Sequence, residues 1–178
     1  MQKVFKILIF TDLDGSLLHR DTFKFDKIKD YLRQLISRGI FIIPNTSKTD
    51  KEILEFSYDL GVSLPYICEN GAAIYGLDLL DENLPKELIL SREKEDVLNI
   101  FKNTVPINLQ IKCKWLSEMD KKEQSLIFGL KDEKLKMALD RKYTIPFIFS
   151  GTKKEKNKLS KIIKKNGLCL QEGGRMIN

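Results

Sequence analysis

Asp12 and Asp14 close an apolar run, Ile7-Leu8-Ile9-Phe10-Thr11-Asp12-Leu13-Asp14-Gly15-Ser16. Strand side chains alternate between faces, so carboxylates two apart project the same way from the strand's carboxyl end. In a parallel α/β sheet that end is where ligands bind. Two carboxylates so close repel unless a cation or a shared proton relieves them. A purely structural loop has little use for that pair, and chemistry beside a cation does.

A second cluster follows another apolar run, Ile40 to Ile43, as Pro44-Asn45-Thr46-Ser47-Lys48-Thr49. Thr49-Asp50-Lys51-Glu52 has the pattern of a capping box, and a helix amino terminus beside loop hydroxyls and a lysine is an anion site. By itself this is also how an ordinary threonine-capped turn reads; beside Asp12 and Asp14, phosphate is the leading ligand. Pro65 to Tyr75 predicts a strand, a tight Asn70-Gly71 turn and a short return strand, which alone is a plain hairpin. His19, the only histidine, lies in a polar loop and receives no role.

The elements that must hold these clusters are written in the apolar spacing. Val4 to Phe10 reads as a strand buried on both faces. Ile28, Tyr31, Leu32, Leu35 and Ile36 form a helical stripe, with Asp26 as N-cap and Gly39 as the stop. Ile40 to Ile43 is the next strand, so a βαβ unit with parallel strands is expected. Ile53, Leu54 and Tyr58 are expected to face inward from the following helix, which Gly61 closes.

From about Leu79 the pattern changes. Leu84 to Leu90 reads as strand or loop, and Ser91 as the cap of a helix carrying Val97, Leu98 and Phe101. A strand is expected over 107–115, two short helices over 117–141 around Gly129-Leu130, and a strand over 143–149. Thr152 to Asn166 is a helix with Leu159, Ile162 and Ile163 inward. Gly167 ends it, and a strand over 168–170 and a turn at Gly173-Gly174-Arg175 follow. The expected division is residues 1–82 and 83–178, with no linker to mark it.

A chain of 178 residues suits one generous domain or two small ones. The net charge of +6 sits in Gly151 to Lys165, with seven lysines and one glutamate, while the remainder is balanced. No aromatic residues interleave those lysines, so a solvated helix face is expected and nucleic acid is not an expected partner. Cys68, Cys113 and Cys169 lack metal spacing and read as reduced thiols. No stretch is a signal peptide or a membrane span, so a cytoplasmic protein without a membrane partner is expected.

Phe10 to Ser16, Thr46-Ser47-Lys48-Thr49 and Glu69-Asn70-Gly71-Ala72-Ala73-Ile74 together resemble the first half of a haloacid dehalogenase-like phosphohydrolase. The finer likeness is to the mannosyl-3-phosphoglycerate phosphatases. It extends through Ser117-Glu118-Met119, Gly129-Leu130, Ala138, Arg141-Lys142-Tyr143, Pro146-Phe147 and Gly173-Gly174-Arg175. The resemblance implies an α/β fold, a Rossmann-like parallel-sheet core (here incomplete) with an α+β cap domain. It implies Asp12 as nucleophile forming an aspartyl-phosphate and Asp14 as general acid and base. Mg²⁺ would be held by the Asp12 carboxylate and the Asp14 backbone carbonyl, and phosphate by Thr46, Ser47 and Lys48. Glu69, Asn70, Arg141 and Arg175 would contact the small phosphorylated sugar or glycerate substrate, although Arg141 and Tyr143 also read as braces. Oligomeric state is not specified.

The family continues past the Gly-Gly-Arg segment into a lysine motif and a Gly-Asp-x-x-Asn-Asp motif. This sequence ends at Asn178 without them. A fragment of a longer protein, or a truncated product with an exposed sheet edge and apolar face, is therefore expected. Two functions follow: Mg²⁺-dependent hydrolysis of a sugar-phosphoglycerate, or a truncated, catalytically inactive fragment or phospho-ligand-binding remnant of such a phosphatase.

Overall fold

β1 (Ile7–Thr11) and β2 (Ile40–Pro44) run parallel, from Ile7 opposite Ile40 to Thr11 opposite Pro44. The computed structural model describes residues 7–20 and 22–172, a mixed α/β chain. α1 (Asp26–Ser37) joins the two strands and buries Leu32, with Ile28, Leu35 and Ile36 half-buried and Tyr31 exposed. Asp26 is the first helical residue rather than the cap; Phe25 holds that position without a side-chain hydrogen bond. Gly39 follows the helix at φ +81°, where a side chain would be strained.

The expectation that the first strand is buried on both faces is overturned. Ile7 is 56% and Phe10 57% exposed, and Leu8 and Ile9 are also exposed. Among the described residues β1 pairs only with β2, so it is an edge strand with little packed against either face. β2 has a neighbour on each side: β1, and β3 through a parallel bridge between Asn45 and Ile67. Ile42 and Ile43 are accordingly buried. The expected exposed edge and apolar face are present, on the strand that carries the aspartates.

α2 (Asp50–Leu60) begins with the expected capping box and ends at Gly61 in the left-handed conformation. Its inner face is Ile53, Phe56, Ser57 and Leu60, the i, i+3, i+4, i+7 set. Leu54 and Tyr58 instead form an outer i, i+4 pair, and Tyr58 is 86% exposed. β3 (Tyr66–Cys68), β4 (Ala73–Tyr75) and β5 (Glu87–Ile89) form an antiparallel sheet in that order. The first connection is Glu69 to Ala72, longer than the expected two-residue turn.

The chain divides into two compact units after Ser91, since β5 pairs back onto β4. In the second unit α3 (Lys94–Thr104) starts after Glu93, not after Ser91, whose N–H donates to the Ala72 carbonyl. The strand expected over 107–115 is split into α4 (Ile107–Gln110) and β6 (Cys113–Trp115), because Pro106 starts a helical turn. α5 (Lys121–Phe128) and α6 (Asp132–Leu139) flank Gly129 as expected. β7 (Phe147–Phe149) pairs antiparallel with β6, and α7 (Lys153–Lys165) is capped by Thr152. Residues 168–170 form no strand; Leu168 and Leu170 pack against the core of this unit. That core is Phe101, Val105, Leu109, Phe147, Leu159 and Ile163, with Trp115 edge-on to Phe101 and Phe147.

Among the described residues no helix is long and apolar enough to cross a membrane. Cys68, Cys113 and Cys169 are free thiols.

Candidate active site

The turn that carries the aspartates is fixed from below by Leu13, which is fully buried. The Ser16 and Leu18 N–H groups both donate to the Leu13 carbonyl, at 3.2 and 2.8 Å, and the Gly15 N–H donates to the Leu18 carbonyl at 2.9 Å. Gly15 sits at φ +76° with open space around it, so its backbone angle rather than crowding calls for glycine. With Leu13 pointing into the core, Asp12 and Asp14 are left on the open side, and both are exposed residues. One Asp12 oxygen accepts the Leu13 N–H at 2.7 Å.

The phosphate-type loop lies at the end of β2, adjacent to that turn. The Asn45 N–H donates to the Thr11 carbonyl at 2.8 Å, and the Thr46 N–H to the Ile67 carbonyl at 3.1 Å. Thr46 is buried, Ser47 exposed and Lys48 half-buried. Lys48 Nζ reaches back 3.1 Å to Asp14 Oδ1 and 3.2 Å to Glu52 Oε1, with the Phe23 ring centroid 5.2 Å away. One ammonium therefore ties the aspartate turn to the start of α2.

The helix end itself is closed. Glu52 Oε2 accepts the Thr49 N–H at 2.9 Å, and the Glu52 N–H donates to Thr49 Oγ1 at 3.4 Å. The anion-binding capacity expected of this helix start is thus partly taken up by its own capping box.

Glu69, Asn70 and Gly71 all have positive φ, at 45°, 62° and 91°. This left-handed run curls the β3–β4 loop onto the Thr46–Lys48 segment. The Glu69 N–H donates to the Lys48 carbonyl at 2.9 Å, and the Asn70 N–H to the Thr46 carbonyl at 3.0 Å. Glu69 is buried and Asn70 half-buried. Their backbones thereby fix the shape of the lysine loop, a role the Asn-Gly pattern did not reveal.

Electrostatics favour a site in need of positive charge. Burial lifts the Asp14 carboxyl above the ordinary carboxylate range despite the pull of Lys48, and the Glu52 and Asp12 charges lift it further. Burial works to lower Lys48, but Glu52 and Asp14 outweigh it and hold the ammonium charged beyond the ordinary lysine range. Two carboxylates, Asp14 and Glu52, thus share one ammonium, with Asp12 acting on Asp14. Among the described residues no group of three or more His, Cys, Asp or Glu side chains is arranged to hold a metal. Asp12 and Asp14 are nevertheless hard oxygen donors of the kind Mg²⁺ takes, and that ion keeps several waters.

The other substrate candidates lie in the second unit or outside the described residues. Arg141 is buried there, donating from Nε to the Ala138 carbonyl at 3.2 Å and from a terminal nitrogen to Thr144 Oγ1 at 2.7 Å. Arg175, with Gly173 and Gly174, lies outside the described residues. Glu52 and Phe23 were missed as neighbours of Lys48. The i, i+4 spacing of Lys48 and Glu52 was the signal for the first; nothing in the sequence marks the second.

The sequence pattern of the haloacid dehalogenase-like hydrolases matches residues 9–172. A glucosyl-3-phosphoglycerate/mannosyl-3-phosphoglycerate phosphatase of Persephonella marina is 30% identical over 177 residues, covering 95% of this chain and 64% of that protein. A protein of the same description from Methanococcoides burtonii is 41% identical over 70 residues, 39% of this chain and 26% of that one. The chain thus spans less than two thirds of the length of these relatives. Among solved structures, a Thermoplasma acidophilum protein superposes with a TM-score of 0.62 at 13% identity, covering 98% of this chain and 64% of the other. A haloacid dehalogenase-like hydrolase from Bacteroides thetaiotaomicron gives 0.62 at 11% identity, covering 97% and 70%. At such identities these likenesses establish the fold.

Proposed function

The chain belongs to the haloacid dehalogenase-like hydrolases, and from that footing we propose that its first unit carries the phosphoryl-transfer site of a phosphomonoester hydrolase. The observation that carries this reading is the Lys48 ammonium bound to Asp14 at the carboxyl end of paired parallel strands, with Asp12 on the same turn.

Asp12 supplies the nucleophile. Its Oδ1 is fixed by the Leu13 N–H, which leaves the second oxygen to attack phosphorus. An Asp12–phosphorus bond forms as the bond to the substrate alkoxide breaks, and Asp14 gives its proton to that leaving oxygen. In the second half, water attacks phosphorus, Asp14 takes back a proton, and phosphate departs from Asp12. The upward shift of Asp14 suits this exchange, since a general acid must hold its proton near the working pH. Lys48, Thr46 and Ser47 bind the phosphoryl oxygens. Mg²⁺ would be held by the Asp12 carboxylate and the Asp14 backbone carbonyl, and would supply neutralisation of the phosphate charge.

A sugar-phosphoglycerate is the proposed substrate class, by likeness to the Persephonella protein. Glu69 and Asn70, on the loop that closes over Thr46 to Lys48, are the proposed contacts from the first unit. The buried hydrogen bonds of Arg141 favour the bracing role. A second reading, a phospho-ligand binder without turnover, predicts phosphate binding alone.

Hydrolysis of an aryl phosphate by the 178-residue chain in Mg²⁺ separates the two readings. Turnover abolished by Asp12→Asn is expected. Turnover indifferent to that substitution overturns the assignment of Asp12, and phosphate binding by a folded, inactive chain favours the second reading.

A further inference from the structure

We propose that Glu52 is a positioning residue for the phosphoryl site, acting through Lys48; this rests on the phosphohydrolase reading of that site. In a capping box the third helical carboxylate serves the backbone of the helix start. Here its two oxygens are divided. Oε2 takes the Thr49 N–H at 2.9 Å and the Thr49 hydroxyl at 3.2 Å, while Oε1 takes Lys48 Nζ at 3.2 Å. The Glu52 side chain is only 9% exposed and that of Lys48 11%, so neither is an ordinary surface partner.

The division matters because an ammonium has three donors. Asp14, 40% exposed, takes one at 3.1 Å. If Asp14 were its sole anchor, a flexible lysine would hang from one partly exposed carboxylate on a turn. Glu52 supplies a second anchor on the rigid start of α2, outside the reacting pair. Lys48 then keeps its place with one donor left for a phosphoryl oxygen. The Phe23 ring, 5.2 Å from Nζ, adds an attraction to the same cation. The i, i+4 pairing is therefore a mount for the lysine as well as a helix-stabilising contact.

Glutamine is accepted in the capping box, but its amide nitrogen cannot accept from an ammonium, so Glu52→Gln separates the mount from the cap. The test is competitive labelling of lysine amines in the full chain at fixed pH, quantified by mass spectrometry. Glu52→Gln is expected to raise Lys48 labelling about tenfold relative to the other lysines, the scale of one charged hydrogen bond, with helix content kept. Thr49→Val, which breaks the cap but leaves the carboxylate, is expected to keep Lys48 protected. Unchanged labelling in Glu52→Gln, or equal exposure in Thr49→Val, overturns the proposal.

Inorganic phosphate with Mg²⁺ tests the underlying reading separately. It should protect Lys48 in the natural chain and not in Asp12→Asn. Failure of that protection removes the phosphoryl-site reading while the labelling comparison still decides whether Glu52 holds the lysine. In turnover, Glu52→Gln should raise KM more than it lowers kcat.

Discussion

Replacing Lys48 by methionine keeps most of the apolar stem and removes the charge that separates Asp14 from Glu52. The two carboxylate oxygens lie about 6 Å apart at most, since they are 3.1 and 3.2 Å from one nitrogen. At an effective dielectric of about 20 their repulsion is about 3 kcal/mol. Asp14 is 40% exposed, and solvent screening reduces this to about 1–2 kcal/mol. Glu52, whose side chain is 9% exposed, loses a charged hydrogen bond, a further loss of about 1.5 kcal/mol. Lys48→Met should therefore destabilise the first unit by about 3 kcal/mol at pH 7 without added metal. The loss should shrink on acidification, as the Asp14 carboxyl, already raised by burial and by Glu52, takes up a proton and the repulsion ends. Amide exchange along Asp50 to Leu60 reads this directly; Trp115, the sole tryptophan, lies in the second unit and does not report it. A loss below about 1 kcal/mol at pH 7, or one that does not shrink on acidification, refutes the three-charge account.

Two further perturbations address the second unit, both readable from Trp115 fluorescence in urea. Leu159→Ala empties a fully buried position between α7 and the Phe101–Phe147 cluster, and should cost about 3 kcal/mol. Glu155 accepts from Lys112 Nζ and from the Thr152 N–H and hydroxyl, which together hold its carboxyl well down, at about 2 against an ordinary 4.5. A depressed carboxyl stabilises above its unfolded value and loses that contribution as pH falls through the folded one. The midpoint difference between the natural chain and Glu155→Gln should be complete above about pH 4.5 and vanish near about pH 2.

Much of this arrangement was legible because it is local. The Thr49–Glu52 capping box and Gly61 as helix stop each depend on a few neighbouring residues. The Asp12–Asp14 pair was legible as a motif, although both lie past the end of β1 and the buried Leu13 between them, rather than strand alternation, leaves them on the open side. What failed was burial. An apolar strand reads the same whether it has neighbours on both sides or one, so Ile7 to Phe10 looked like an interior strand. Leu54 and Tyr58 misled for the same reason: hydrophobicity marks residues able to be buried, and geometry selected Phe56 and Leu60 instead. The loop at Glu69 to Gly71 escaped because three successive left-handed residues have no compositional signature beyond Asn-Gly.

The open flank of β1 has a kinetic meaning. Its ladder closes a long loop, Ile7 onto Ile40, with one strand to hold it, so it belongs to the parts of a protein that detach most readily. Asp12 rides on its end. Every 1.4 kcal/mol of detachment free energy changes the share of molecules with the strand displaced by about tenfold. Substitutions on the solvent side of Ile7 to Phe10 should therefore tune how often Asp12, the proposed nucleophile, is in place, read as amide exchange along β1.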